Sequence, residues 1–213
     1  MKIKEINFNE FGFPDLLKQI YDCPKKLYYL GNANNLNKSC VAIVGTRNSS
    51  KIGEMTARNI AYYFAKKGYV IISGLAEGID KNAHIGALEA NGKTIAVLGH
   101  GLNMIYPYSN RELAKKIIKN DGTLVTEYST EEKIEKLNFA NRNRIVSGLS
   151  IATIVVEAKA KSGALITADF ALEQGREVFA VPGRITEKNH DGCNMLLMEG
   201  ASPITLEELE KFW

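Results

Sequence analysis

Residues 136 to 144 combine several cations with an aromatic side chain. Lys136, Arg142 and Arg144 flank Phe139 and Asn143 within this stretch. Ammonium and guanidinium groups make charge-assisted hydrogen bonds to phosphate oxygens, and an aromatic ring can stack on a base of any sequence. A solvated basic helix start with the phenylalanine buried in the core is the structural alternative. The combination favours a nucleotide or a nucleic acid as the ligand.

Three further loops follow hydrophobic runs and contain glycine. Glycine lets the backbone approach a ligand closely, and the N–H groups at the start of a following helix favour an anion. A plain glycine turn with solvated cations is the structural alternative. Neither the Gly-Lys-Ser/Thr phosphate loop nor the Gly-x-Gly-x-x-Gly dinucleotide motif is present. The residues predicted to bind DNA or phosphate in these loops are Gly45, Thr46, Arg47, Ser73, Gly74, Lys161, Ser162 and Gly163.

Acidic and histidine side chains near these loops are weaker candidates for chemistry. Glu77 would repel a phosphate unless it points away, Asp80 is predicted to cap the following helix, and His100 is expected to be structural. Glu127 and Glu157 follow strands, where a carboxylate can act as an acid or base, bind a sugar hydroxyl or bind backbone amides. No spacing matches a metal site or a hydrolase motif, so neither a metal nor a cofactor is predicted.

Composition excludes several classes of protein without indicating a function. Among 213 residues, 27 are Lys or Arg and 24 are Asp or Glu, so the net charge is +3, and 45% of the residues are hydrophobic. These values are typical of a globular protein with one main domain, not of a disordered or fibrous chain. Three scattered cysteines indicate a reducing compartment. The apolar runs are too short for a signal peptide or a membrane span, so a cytoplasmic location is expected.

The elements that must position these loops alternate regularly from residue 40 onward. Short β-branched runs are typical of strands buried on both faces, and the amphipathic stretches between them are typical of helices. The alternation predicts an α/β fold, a Rossmann-like doubly wound sheet that is mainly parallel. Strands are expected at 41–45, 69–73, 94–98, 123–126, 151–156 and 178–181, and helices at 55–67, 80–90, 110–119 and 164–174.

The two ends of the chain differ from this pattern. Residues 1–40 are predicted to form an N-terminal extension that packs a short helix and a strand on the core. Residues 41–204 form the Rossmann-like DNA-binding domain in this interpretation. Residues 205–213 are predicted to form a short C-terminal helix capped by Thr205. No further folded domain is expected after it.

Together these segments resemble the DprA/Smf family, the DNA-processing proteins of natural transformation. The most specific segments are Arg-Asn-Arg-Ile-x-Ser-Gly-Leu-Ser at 142–150 and Ser-Gly-x-Leu-Ile-Thr-Ala at 162–168. The other matching segments are 45–47, 73–76, 78–80, 83–84, 95–99, 106–107, 155–158 and 174–183.

The resemblance implies an extended Rossmann fold that binds single-stranded DNA, forms a homodimer and helps to load a RecA-type recombinase, without being an enzyme. By position, Arg47 corresponds to a phosphate ligand, and Lys136, Phe139, Arg142 and Arg144 to a basic pocket with a base-stacking aromatic. The chain departs from the family at Glu77, at Ser129 and at Ala140, where prolines are common at the last two. Neither a C-terminal winged helix nor a complete N-terminal helical domain is expected.

The leading hypothesis is therefore a binding protein for single-stranded DNA that promotes recombinase loading. The alternative is a nucleotide sensor or a phosphoribohydrolase-like enzyme of a related Rossmann superfamily, with Glu127 or Glu157 as the acid or base. Such enzymes usually contain Pro-Gly-Gly-x-Gly-Thr-x-x-Glu, whereas this chain has only Pro182-Gly183. An interaction scaffold with a vestigial pocket is the third possibility.

Overall fold

Continuous β-branched runs form the centre of a nine-stranded sheet. The computed structural model describes residues 2–132 and 134–205, and within them the strand order is β1-β2-β6-β5-β4-β3-β7-β8-β9. The strands are β1 Lys4–Asn7, β2 Lys26–Gly31, β3 Cys40–Val44, β4 Val70–Ser73, β5 Thr94–Val97, β6 Thr123–Thr126, β7 Ala152–Val155, β8 Glu177–Ala180 and β9 Ser202–Pro203.

Among the described strands, all neighbouring pairs formed by β3 to β9 are parallel, and only β1/β2 and β2/β6 are antiparallel. The chain moves outward from β3 to β6 and then returns to the other side of β3 with β7. The doubly wound, mainly parallel α/β fold predicted from the sequence is confirmed. Its switch point lies between β3 and β7, where open α/β sheets bind ligands at the carboxyl ends of their strands.

Eight α-helices cover the sheet in the described part of the chain. Ser50 caps α2 by accepting a 2.9 Å hydrogen bond from the Gly53 N–H, and Ser162 caps α7 in the same way through Ala164 at 3.3 Å. The helices are α1 Asp15–Lys18, α2 Lys51–Lys66, α3 Ile79–Glu89, α4 Arg111–Lys119, α5 Lys136–Asn141, α6 Asn143–Gly148, α7 Gly163–Glu173 and α8 Asp191–Met198.

The core has two faces because successive side chains of a strand point to opposite sides of the sheet. In β3, Val41 and Ile43 pack with α2 and α3, whereas Cys40, Ala42 and Val44 belong to the cluster that includes residues of α1, α6 and α7. All five are buried. This explains why the strand is a continuous apolar run in the sequence rather than an alternating one.

The ends of the chain contribute more to the sheet than the sequence pattern predicts. Residues 1–40 supply α1 and two strands, β1 and β2, instead of one strand, and β2 pairs with β6 inside the sheet. The short helices α5, α6 and α8 lack a side-chain cap, so the sequence carries no start signal for them. The predicted C-terminal helix falls on 206–213, outside the described residues. No helix in the described ranges is long and apolar enough to span a membrane.

His84 on α3 is a buried neutral histidine that joins α3 to the sheet. Its Nδ1 lies 2.7 Å from Thr94 Oγ1, and that hydroxyl donates its own proton to the Ile71 carbonyl at 2.7 Å. The imidazole must therefore donate from Nδ1, and Nε2 has no hydrogen-bond partner in the described structure. Burial lowers the pKa of His84 to about 3, and the positive charge of Arg142 acts in the same direction.

This histidine should make the fold sensitive to mild acid. The pKa of His84 is near 6.5 in the unfolded chain and about 3 in the fold. At a pH between these two values the histidine is protonated only in the unfolded state, so the free energy of unfolding falls as the pH falls. From about pH 7.5 to about pH 5, His84 should remove about 2 kcal/mol from the free energy of unfolding. Urea unfolding of the wild type and of His84→Asn at both pH values measures this. Equal losses in the two proteins would contradict the prediction.

Candidate nucleic-acid interface

A cleft of about 840 Å³ opens where β3 and β4 end. It lies beside the switch point and is bounded by the loops after β3 and β4 and by the starts of α5 and α7. Of the residues predicted to bind a ligand, Ser73, Arg144 and Lys161 do not line it. Those that do are Gly45, Thr46, Arg47, Gly74, Lys136, Phe139, Arg142, Asn143, Ser162 and Gly163.

Phe139 is the centre of an aromatic and cationic cluster in the cleft. The Arg47 guanidinium lies 5.9 Å from the centroid of its ring, the Tyr106 ring is 5.7 Å away and tilted by 54°, and the His100 ring is 6.3 Å away. Phe139 is half-buried rather than enclosed in the core, and Arg47 and Tyr106 are exposed. Tyr106 was not predicted as a binding residue, although its place in a loop that follows a strand was the available signal.

Arg142 forms the inner wall of the cleft and is only 4% exposed. Its Nη1 donates to the Val97 carbonyl at 2.6 Å, and a Cβ on Gly74 would overlap its guanidinium. Glycine is therefore required at position 74 for this contact. Burial lowers the pKa of Arg142 to about 10, and the nearby Asp80 carboxylate opposes that shift. Its Nε is buried without a hydrogen-bond partner in the described structure.

Asp80 does not cap α3 as predicted, because Gly78 occupies the cap position. Its carboxylate instead accepts hydrogen bonds from the Gly74 N–H at 3.0 Å and the Ala76 N–H at 3.4 Å. Burial raises the pKa of Asp80, and the positive charge of Arg142 opposes the increase. Two amides of this loop are thus bonded within the protein. Ser73 is fully buried and donates to the Ile43 carbonyl at 2.7 Å, so it does not reach the cleft.

Glu157 holds the loop after β3 by accepting hydrogen bonds from its backbone. Its backbone carbonyl accepts from the Thr46 N–H at 2.7 Å, and its carboxylate accepts from the Ser50 N–H at 2.9 Å and from the Ser50 hydroxyl. The Glu157 side chain is 1% exposed and lies against Gly53 at the start of α2. It therefore fixes both ends of the segment that presents Arg47 to solvent, and it does not line the cleft.

Arg144 is buried and does not line the cleft, but forms ion pairs with the half-buried Glu127 and the exposed Asp22. Nη1 and Nη2 donate to the two carboxylate oxygens of Glu127 at 2.5 and 2.7 Å, and Nε donates to Asp22 Oδ2 at 2.9 Å. The guanidinium charge is balanced by these two acids, so the structure does not offer it to a phosphate. The network ties α6 to the N-terminal segment through Asp22. It also engages Glu127, which was a candidate acid or base.

The remaining predicted residues lie at the margin of the cleft. Lys161 is exposed beside Ser162, which uses its hydroxyl to cap α7. Glu77 faces Lys81 at 3.6 Å and bonds to the Ser109 hydroxyl, so it points away from the lining as the phosphate hypothesis requires. His100 is buried, donates to the Gly101 carbonyl at 2.9 Å and accepts from the Tyr106 N–H at 3.3 Å. Both bonds join residues of the loop that carries Tyr106.

Comparison with known proteins identifies the family. The family model described as DNA recombination-mediator protein A matches residues 4–212. The chain belongs to this family. The expected DprA/Smf membership is thereby confirmed. The DNA processing protein DprA of Streptococcus pneumoniae is 45% identical over 193 residues, which are 91% of this chain and 68% of that protein.

Solved structures of the family share the fold. The X-ray structure of DprA from Streptococcus pneumoniae has a TM-score of 0.92 and 42% identity, covering 98% of this chain and 73% of that chain. DprA from Helicobacter pylori, whose structure is described for its single-stranded DNA binding mode, has a TM-score of 0.88 and 32% identity, covering 99% of this chain and 94% of that chain. The curated relatives are longer, since the chain spans between 47% and 68% of their length.

The ion pairs of Arg144 should contribute to stability. Arg144→Ala leaves the half-buried Glu127 carboxylate without its partner, so it should lower the free energy of unfolding by about 2 kcal/mol. Arg144→Lys keeps the positive charge without the bidentate hydrogen bond to Glu127, so it should lower the free energy of unfolding by less. Arg58→Ala, which removes an exposed pair with Glu89, should cost less than about 1 kcal/mol. Urea denaturation measures all three, and equal losses for Arg144→Ala and Arg58→Ala would contradict the assignment.

Proposed function

We propose that the cleft binds single-stranded DNA. The observation that carries the proposal is the cluster of Arg47, Phe139 and Tyr106 at the switch point of the sheet, where an exposed guanidinium and two aromatic rings share one cleft. The family relative from Helicobacter pylori is described for the same kind of ligand. Base stacking on Phe139 or Tyr106 needs an unpaired, accessible base, which a single strand supplies and a duplex does not.

The side chains around this cluster divide the recognition of a strand between phosphates and bases. Arg47 and Lys136 are exposed cations, and Asn143 and the start of α7 supply uncharged donors beside them. Because the amides of Thr46, Ser50, Gly74 and Ala76 are bonded to Glu157 and Asp80, the exposed side chains are the main candidates for phosphate contacts. Such contacts carry no sequence information, so little sequence preference is expected.

The cleft favours binding without chemistry. The two acids that a phosphoribohydrolase-like enzyme would use both have protein partners, Glu127 with Arg144 and Glu157 with Ser50, and neither lines the cleft. This supports a binding protein over the enzymatic alternative. Incubation with nucleoside monophosphates tests the choice, since release of a free base would support the enzyme instead.

We further propose that the bound strand is transferred to a RecA-type recombinase and that the protein acts as a homodimer in the cytoplasm. The family description as a recombination mediator supports the transfer. Two copies would offer two clefts to one strand and so raise the effective concentration of the second binding event. Light scattering of the protein alone and with an oligonucleotide tests the oligomeric state.

A binding experiment at two salt concentrations should separate the contribution of the Arg47 charge from that of stacking on Phe139. Arg47→Ala should weaken binding of a fluorescent single-stranded oligonucleotide by about tenfold and reduce the slope of log affinity against log salt by about one. Phe139→Leu should weaken binding by about tenfold while leaving the slope unchanged, because a ring neutralises no phosphate. Anisotropy titrations at about 50 mM and about 200 mM salt measure both effects.

Lys66→Ala is the matched control for these variants. Lys66 also lies over an aromatic ring, 5.4 Å from the centroid of Tyr62, but it is at the opposite end of α2 from the cleft. Its removal should leave affinity unchanged. If the wild type binds no single-stranded oligonucleotide, or if Arg47→Ala behaves like Lys66→Ala, the proposed site is wrong.

Recombinase loading can be measured separately from DNA binding. On an oligonucleotide covered by a single-strand-binding protein, the wild type should shorten the lag before a RecA-type filament forms, and Arg47→Ala should not. Filament growth followed by recombinase ATP hydrolysis provides the readout. An unchanged lag with a wild type that binds DNA normally would reject the transfer while leaving the binding proposal intact.

A further inference from the structure

The lip of the cleft at residues 106 to 111 presents a second aromatic ring that the proposed site does not use. Tyr106 lines the cleft, and Tyr108 follows two residues later, so the backbone holds their Cα atoms no more than about 7 Å apart. The Tyr108 residue is 73% exposed, and its ring does not line the cleft. A strand leaving the cleft past Tyr106 would therefore meet Tyr108 next.

Arg111 contacts Tyr108 through both its charge and a hydrogen bond. Its guanidinium carbon lies 5.5 Å from the centroid of the Tyr108 ring, and Nη1 donates to the Tyr108 hydroxyl at 3.0 Å. No carboxylate lies within 4 Å of the Arg111 guanidinium in the described structure. The nearest acidic neighbours in the sequence and loop are paired elsewhere, Glu112 with Lys115 at 2.7 Å and Glu77 with Lys81 at 3.6 Å. The guanidinium charge is therefore available to an anion.

The lip is held in place by the protein interior. Asn110 is fully buried and donates to the Leu75 carbonyl at 2.9 Å and the Ala76 carbonyl at 3.2 Å. The Tyr106 N–H donates to His100 at 3.3 Å, and Ser109 bonds to Glu77. The exposed ring is thus presented by an anchored segment, which reduces the ordering cost of binding.

We propose that Tyr108 and Arg111 form a second nucleotide subsite, which holds the next nucleotide of a single strand as it leaves the cleft. The ring supplies a face for the base, and the guanidinium supplies a charge-assisted hydrogen bond to the phosphate. This inference rests on the proposed function, because it extends the path of the same strand beyond the Phe139 cluster.

The length of the oligonucleotide separates the two sites. A thymidine oligomer of about three nucleotides should occupy the cleft alone, whereas one of about eight should reach both sites. Tyr108→Ala should weaken binding of the longer oligomer by about tenfold and leave the shorter one unchanged. Tyr108→Phe keeps the ring but loses the hydroxyl that binds Arg111, so it should weaken binding of the longer oligomer less than Tyr108→Ala does. Phe139→Leu should weaken binding of both.

Arg111→Ala should weaken binding of the longer oligomer and reduce its slope of log affinity against log salt by up to about one. Binding of the shorter oligomer should not change. Tyr62→Ala is the control, since this ring also lies under a cation, Lys66, but far from the cleft. All titrations use anisotropy and the full chain. Circular dichroism melts of each variant confirm that it is folded.

Each outcome decides between the two claims. If Phe139→Leu weakens both oligomers and Tyr108→Ala leaves the longer one unchanged, the second subsite is wrong and the cleft stands. If Tyr108→Ala weakens both oligomers equally, the ring supports the cleft and is not a subsite of its own. If no oligomer binds the wild type, the proposed function and this inference both fail.

Discussion

Two buried carboxylates, Asp80 and Glu157, bond the backbone of the loops that leave β4 and β3. The loops that lead from parallel strands into helices lie at this edge of the sheet, and in many α/β proteins their free amides bind a ligand. Here the amides of Thr46, Ser50, Gly74 and Ala76 are bonded within the chain. The shapes of both loops are therefore fixed before any ligand arrives, and recognition is left to side chains that project from them.

This constraint explains the arrangement of charge around the cleft. Arg142 is drawn inward beside Asp80 and Gly74, where its guanidinium bonds to the Val97 carbonyl and forms a wall. Arg47, on the loop held by Glu157, is directed to solvent over the Phe139 ring. A buried cation and an exposed one thus have different tasks, although the same residue type occurs in both places. The net charge of +3 hides this distribution.

Much of the candidate site could be predicted because residue type and position after a strand are local properties. Gly45, Arg47, Lys136 and Phe139 were found in this way, and all four line the cleft. Arg144 and Ser73 could not be placed correctly, since their partners, Asp22, Glu127 and the Ile43 carbonyl, are distant in the sequence. Tyr106 was not predicted because its role in the cleft depends on the Phe139 ring, which only the fold places beside it.

The sequence by itself determined the fold class, six of the seven parallel strands and the family. These follow from hydrophobic periodicity, glycine and capping positions, and short motifs, all of which are written along the chain. Only the tertiary structure decided which cations are free. Whether a guanidinium such as that of Arg47 or Arg144 meets solvent or a carboxylate depends on contacts between segments far apart in the chain. No local pattern encodes those contacts.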